Sequence, residues 1–423
     1  MINILKLAMI LQAFWVLYPL YYGWEGAIIR SIISTTFIFI LVFFYFARGA
    51  IKGQLTLPRV RIIPLIGWLI SISLFGSIVG FLHGYPTRAI LSDLFPIVEF
   101  VASLLLGIVL IKTIDQAKGL IMLFVMSIGL VAWIEVFIYW VYPEFYLHRV
   151  LIDGLVIKRV ADFTTPIALI LFLAMVGSNP YKNKIFYILG IGMTIAIFLS
   201  FLKSILLASL IGIVTVFAVH PRRHSFAKKI VSLVSFIAIG FLIAALVFSP
   251  MKQSQGPIII SNAPYLAFEL IAQFFDPNLP SYERLQYVSF ALHQWAESPI
   301  IGKGLGAGWW TSIGETRLAE QLPSQRWRND IPCYPLFVIW KLGLLGLLIF
   351  SIIGGFLIRS LIGGMTTLRD PFWRDFSAGL CGGYTYVCLI SSFAFLPFNH
   401  FPIPFYMGIM SSIIFRLSSV STD

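Results

Sequence analysis

The chain has 423 residues, 59% of them hydrophobic and 11% charged, and its mean hydropathy is +0.92. Soluble globular domains run at roughly 45–50% apolar and about 25% charged, so this composition excludes an ordinary soluble enzyme. The formal charge of +12 invites an acidic partner, but with so few charges their placement says more than their sum, and no nucleic-acid partner is expected. The three cysteines, Cys333, Cys381 and Cys388, are too few and too scattered for a disulfide framework.

A bilayer core about 30 Å thick needs ~20 predominantly apolar residues per spanning helix, and roughly twelve such runs occur. They cover 5–22, 27–47, 62–81, 95–112, 120–142, 163–178, 185–202, 204–220, 230–249, 334–358, 376–396 and 402–418. The first is expected to be a retained helix, because it is long, ends in Tyr21, Tyr22 and Trp24, and is followed by no small-residue cleavage pattern. The fold class that follows is an all-α polytopic integral membrane protein. Residues 1–249 would hold helices 1–9, and 334–423 helices 10–12 with a short cytoplasmic tail, in one integrated membrane domain.

Lys and Arg near the helix ends set the orientation. With the N-terminus inside, the inner segments sum to about +13 and the outer ones to about −1, the asymmetry that the positive-inside rule requires. Both termini are therefore expected to face the cytoplasm of a bacterial inner (plasma) membrane. Residues 250–333 would then form one large external loop, periplasmic or extracellular, between helices 9 and 10. Loops of that length are usually functional or disordered, and Trp295, Trp309, Trp310 and Trp327 argue for a folded cap. Short amphipathic helices are expected within it. Ser281 can cap one after Pro280, Leu285, Val288, Leu292 and Trp295 would form its apolar stripe, and Pro299 would end it.

The segment Gly302-Lys303-Gly304-Leu305-Gly306 follows. No strand precedes it and no Ser or Thr follows Lys303, so it is not a nucleotide-binding P-loop. Two readings stay open: a structural turn, or a turn whose backbone amides approach a phosphate. Ionisable residues inside the apolar runs are costly and stand as functional candidates or paired groups. They are Glu99, Glu135 and Lys341, with Lys203 at a tight hairpin between two runs. For Glu99 and Lys341 an internal ion pair is the favoured reading. The outer arginines include Arg149, Arg159, Arg284, Arg326 and Arg328, and guanidinium forks suit the oxygens of a phosphate or diphosphate. His-Glu-x-x-His is absent, as is any outer Asp-x-Asp, so chemistry without a metal or other cofactor is expected.

Four elements in chain order resemble the O-antigen ligase and polymerase superfamily of bacterial envelope glycan assembly. They are Arg159-Val-Ala-Asp162-Phe163-Thr-Thr-Pro166; the hairpin with Lys203-Ser204; Glu283-Arg284, then Trp295 and Ser298-Pro299-Ile-Ile-Gly302-Lys-Gly304-Leu-Gly306; and Gly343-Leu-Leu-Gly346. By motif the similarity spans roughly residues 150–360. The resemblance implies an undecaprenyl diphosphate-linked glycan donor, a glycan acceptor, transfer at the outer face of the plasma membrane, and contact with membrane lipids. A chain-length regulator or a flippase would be a further partner. The family's hairpin residue is usually Arg where this chain has Lys203. Family ligases carry a His-Asn pair shortly before the final glycine motif, where this chain has Pro332 and Cys333 with Asn329 and Asp330 upstream, which favours polymerase over ligase.

In that reading diphosphate leaves once its charge is neutralised, and cations aimed at the developing charge supply the stabilisation. Arg284 and Lys203, with Asp330 toward the acceptor hydroxyl, are the catalytic candidates. Arg159, Arg149, Lys303, Gly302, Gly304, Gly306, Arg326, Arg328, His293 and Glu135 are the substrate-binding candidates. A transporter of the same lipid-linked sugars is the rival class; it should show corresponding broken helices in two halves and short loops on both sides, which the late, long loop contradicts.

Overall fold

A computed structural model describes residues 2–15, 62–141, 149–152, 155–158, 163–176, 184–199, 203–219, 280–312, 325–328, 331, 333–367, 370–393 and 403–420, with isolated positions between 36 and 48. The helices are α1 (Ile2–Trp15), α2 (Ile63–Leu82), α3 (Thr87–Leu110), α4 (Ile114–Val141), α5 (Thr165–Met175), α6 (Lys184–Leu199) and α7 (Lys203–Val219), followed by α8 (Pro280–Ala296), α9 (Tyr334–Thr367), α10 (Pro371–Phe393) and α11 (Ile403–Val420). Apart from 27–47 and 230–249, which lie essentially outside the described residues, each apolar run of the sequence overlaps one of these helices. Among the described residues four helices are long and apolar enough to cross a membrane, namely α2, α3, α4 and α9. The protein is a helical integral membrane protein.

Two short antiparallel hairpins accompany the helices, and no alternating pattern in the sequence announced them. β1 (Arg149–Ile152) pairs with β2 (Leu155–Lys158), and β3 (Trp309–Ser312) pairs with β4 (Gln325–Arg328). The second hairpin lies within residues 250–333, where short amphipathic helices are expected.

The close approach of helices without a hydrophobic drive between them depends on small residues. α3 and α11 meet in this way: a Cβ on Gly107 would strike Ser412, and one on Gly408 would strike Ser103 Oγ and Phe100 O. Each helix thus presents a Ser and a Gly four residues apart, one turn of the same face. α7 and α10 approach through Gly212 and Gly382, where an added Cβ on either would lie within 2.9 Å of the other's carbonyl oxygen. Longer polar side chains then fix neighbours to one another: Tyr406 Oη donates to Met9 O at 2.7 Å, and Trp133 Nε1 donates to Ile188 O at 2.8 Å. At the end of the bundle reached by the α9–α10 connection, Lys118 bridges to Asp370 at 2.8 Å and lies 5.2 Å from the Phe372 ring centroid.

At the opposite end, α2 stops in a motif that turns the chain directly into α3. Gly84 has φ +71, its amide donates to Phe81 O, and the Tyr85 amide donates to Gly80 O at 3.2 Å, so these two carbonyls near the end of α2 are satisfied within the turn. Pro86 then opens α3. This reversal puts Gly76 and Gly80 of α2 and Asp93 of α3 around one corner of the bundle, against the head of α9.

Candidate functional site

The corner is filled by the glycine segment, residues 302–306, that precedes α9 in the chain. α9 supplies the opening, because Gly343 adopts φ 66 and ψ −168 and interrupts the helix. An interrupted helix exposes carbonyls on one side of the break and amides on the other. Here the loop satisfies both: Lys303 and Gly304 amides donate to Trp340 O and Lys341 O at 2.9 Å, while Leu344 and Leu345 amides donate to Pro299 O and Ile300 O at 2.9 and 3.2 Å. Glycine is required where the segment turns. Gly302, Gly304 and Gly306 have φ of +73, +91 and +81, and a Cβ on Gly304 would lie 2.5 Å from Gly80 N.

The two open readings of this segment are thereby separated. Gly302 donates to Ser298 O, Lys303 to Trp340 O, Gly304 to Lys341 O, Leu305 to Gly76 O, Gly306 to Asp93 Oδ2 and Ala307 to Gly304 O. Six consecutive amides are thus engaged by the protein itself, so the segment works as a structural plug rather than as an amide cradle for a phosphate. Gly302, Gly304 and Gly306 hold the loop in place and do not supply free donors.

Beneath the plug, Lys341 Nζ donates to Asp93 Oδ2, the same oxygen that receives the Gly306 amide at 2.7 Å. Both side chains are buried, and the ammonium also lies 4.2 Å from the Phe337 ring centroid and 5.2 Å from that of Trp340. Lys341 is therefore in the internal ion pair expected of it, but with Asp93, a residue the sequence reading did not single out. The signal is faint, since Asp93 precedes the apolar run starting at 95, whereas α3 begins at Thr87. Glu99, further along α3, is also buried.

Above the plug, α8 packs on the head of α9. Its buried side is Ala291 with Tyr287, Val288 and Phe290, facing Trp309 and Trp340. Phe290 and Trp309 have ring centroids 4.8 Å apart, and Trp309 and Trp340 5.9 Å. The expected stripe is corrected on one side, because Leu292 is exposed and the small Ala291 takes the interior position. Large aromatics fill the space from both partners, so the helix needs a small residue where it comes closest. Trp295 donates from Nε1 to Pro299 O at 3.0 Å, which ties the end of α8 to the plug.

The candidate side chains divide accordingly. Lys303 is bonded to Glu297, whose carboxyl the lysine holds below the usual carboxylate range. His293 is exposed, with Nδ1 3.6 Å from Glu297 Oε1. Glu135 is buried in α4, a helix packed chiefly against α1, α5 and α6. Arg284 belongs to α8, one turn before Val288; Arg326 and Arg328 belong to β4, opposite Thr311 and Trp309. The Trp327 ring is 5.8 Å from Tyr85 and its Nε1 donates to Gly306 O at 3.0 Å, so β4 is fastened to the plug. Lys203 opens α7, and Arg149 opens β1 opposite Lys158. Asp330 and Arg159 lie outside the described residues. Among the described residues no group of His, Cys, Asp and Glu could hold a metal ion.

One device therefore joins elements from distant parts of the chain. The plug carries α8 on its N-terminal side and the β3–β4 hairpin on its C-terminal side, and the Asp93–Lys341 pair fixes it to α3 and α9. The two arginine-bearing elements are each fastened to the plug, α8 through Trp295 and β4 through Trp327. Residues 188–351, which run from α6 through the plug into α9, match the family model described as O-Antigen ligase. This stretch supports the likeness to the O-antigen ligase and polymerase superfamily by a domain-length match, and it excludes Arg149 and Arg159, which precede it. No curated protein matches the chain.

Proposed function

We propose that this chain, whose residues 188–351 match the O-Antigen ligase family model, is a glycosyltransferase that polymerises a polysaccharide (O-antigen or exopolysaccharide). It takes a glycan from an undecaprenyl diphosphate carrier and transfers it to another lipid-linked repeat unit at the outer face of the plasma membrane. The observation that carries the reading is the pair of arginine-bearing elements, α8 with Arg284 and β4 with Arg326 and Arg328, flanking one anchored plug inside the matched stretch. Lys303 and Lys341 are each engaged by a carboxylate, so the arginines are the better candidates for the diphosphate.

In this mechanism Arg284 and Lys203 neutralise the charge that develops on the diphosphate as the glycosidic bond to the carrier breaks. Arg326 and Arg328 grip its oxygens with forked donors, with Arg149 and Arg159 as further contacts. Asp330 accepts the proton of the acceptor hydroxyl as the new glycosidic bond forms. No metal ion is needed for the leaving group under this scheme.

The test is a reaction in vitro with a lipid-diphosphate-linked repeat unit. Arg284→Ala protein that folds should lose extension of the glycan, and extension at the native rate would overturn the assignment. A ligase, which hands the glycan to a lipid acceptor, is the second reading and is favoured by the description of the matched family. Cells lacking the protein separate the two. Accumulated single repeats identify a polymerase, and accumulated long unligated chains a ligase.

A further inference from the structure

We propose that Pro299–Ile301, the stretch leading into the plug, lies inside the bilayer in contact with lipid acyl chains, so that the long loop re-enters the membrane instead of resting on it.

Depth is the first argument. α2 has twenty residues, and at about 1.5 Å per residue it spans roughly 30 Å, the full hydrocarbon thickness, so its end at Leu82 marks the membrane boundary. The Leu305 amide bonds to Gly76 O, six residues before that end, which is roughly 9 Å below it. α3 gives the same depth independently: it begins at Thr87, and Asp93, which receives the Gly306 amide, also lies six residues in, again roughly 9 Å.

Exposure is the second argument. At that depth an apolar side chain must be covered by protein or by lipid. Ile300 and Ile301 are 66% and 41% exposed. They continue a surface formed by Ile78 and Phe81 of α2 and by Leu344, Leu345 and Leu348 of α9, all exposed and all on helices able to cross a membrane. The hydrogen bonds from Leu344 and Leu345 to Pro299 and Ile300 hold the stretch level with that surface.

Backbone chemistry is the third. Non-helical backbone at membrane depth is tolerated where its polar groups are satisfied by the protein. Proline at 299 has no amide to satisfy, its carbonyl receives both Leu344 N and Trp295 Nε1, and the Ile300 carbonyl receives Leu345 N. A loop lying in water would have no need of this arrangement or of two adjacent exposed isoleucines.

The experiment uses the full chain in lipid nanodiscs, with its three cysteines replaced and a nitroxide attached at Ile300→Cys. Leu348→Cys serves as the lipid-facing reference and His293→Cys as the aqueous one. Collisions with oxygen, which concentrates in lipid, should exceed those with a water-soluble nickel chelate by several-fold, matching the Leu348 site. A ratio matching the His293 site overturns the proposal, and so do low collisions with both reagents, which would mean cover by protein. If the cysteine-free chain does not fold, the native chain is irradiated in vesicles containing a phospholipid with a photoreactive acyl chain. Labelling of the peptide containing Pro299–Ile301 together with that containing Leu344–Leu348 supports the proposal, and labelling of the latter alone overturns it. Neither measurement depends on glycan transfer.

Discussion

Asp93 and Lys341 are separated by 248 positions in the chain and meet as a buried ion pair, with the Gly306 amide donating to the same carboxylate oxygen. Removing one member of a buried pair leaves an uncompensated charge, which costs about 3–5 kcal/mol, whereas replacing both can be close to neutral. Lys341→Met should therefore lower the temperature at which detergent-solubilised protein loses its monodisperse size-exclusion peak. Asp93→Asn combined with Lys341→Met should recover more than half of that loss. A double variant as unstable as the single one would mean that the pair does not act as a unit.

The plug glycines should tolerate no side chain. Gly304→Ala adds a left-handed backbone cost of roughly 1–2 kcal/mol to a collision with α2, and Gly306→Ala meets Ile90. Gly363→Ala in α9 is the control, since nothing lies within 4 Å of its added Cβ. It should match the native chain or gain up to about 1 kcal/mol from helix propensity. Equal thermal stabilities of the Gly304 and Gly363 variants would contradict the seat described above.

At the α3–α11 contact, bulk should separate the helices. Gly408→Leu forces the two backbones apart, and overpacking of this kind costs about 1–3 kcal/mol. Ser412→Ala removes a hydroxyl that bonds within its own helix and should be nearly silent. Chemical denaturation of the two variants side by side reads the difference.

The Glu297–Lys303 pair gives a pH dependence of known sign. Its carboxyl is held below the ordinary value in the folded protein, so its stabilisation is present above about pH 4.3, the ordinary value of an unfolded glutamate, and is lost as pH falls through the lowered folded value. The difference in melting temperature between native protein and Lys303→Met should be small, since the pair is exposed, and should vanish in acid. A difference that grows on acidification would reverse the assignment.

Much of the helical frame was legible in the sequence because hydropathy alone marks a segment that must be dry. The runs at 62–81 and 120–142 lie on α2 and α4 for that reason. Less legible was anything decided by partners distant in the chain. Asp93 looked like a residue of a short connection, because no local pattern reveals that a lysine 248 positions later will neutralise it. The inward side of α8 was misjudged at Leu292 because periodicity ranks large apolar residues first, while the Trp309 and Trp340 rings left room only for Ala291. The glycine motif was visible, but its role depended on acceptors from α2, α3 and α9. Arg284, Arg326 and Arg328 were recognisable as cations, and their nearness to one plug follows from strand pairing and helix docking.

The order of synthesis has a consequence for the Asp93 corner. Chains emerge from the ribosome N-terminus first, so α2 and α3 are made long before Lys341. Until that lysine arrives the pair cannot form, and the contact between the Asp93 carboxylate and the Gly306 amide is likewise still to be made. The ion pair is then completed by the same helix whose break receives the plug. Chains terminated between the plug and α9 would carry every glycine of the motif and still lack both the charge and the backbone groups that close the corner.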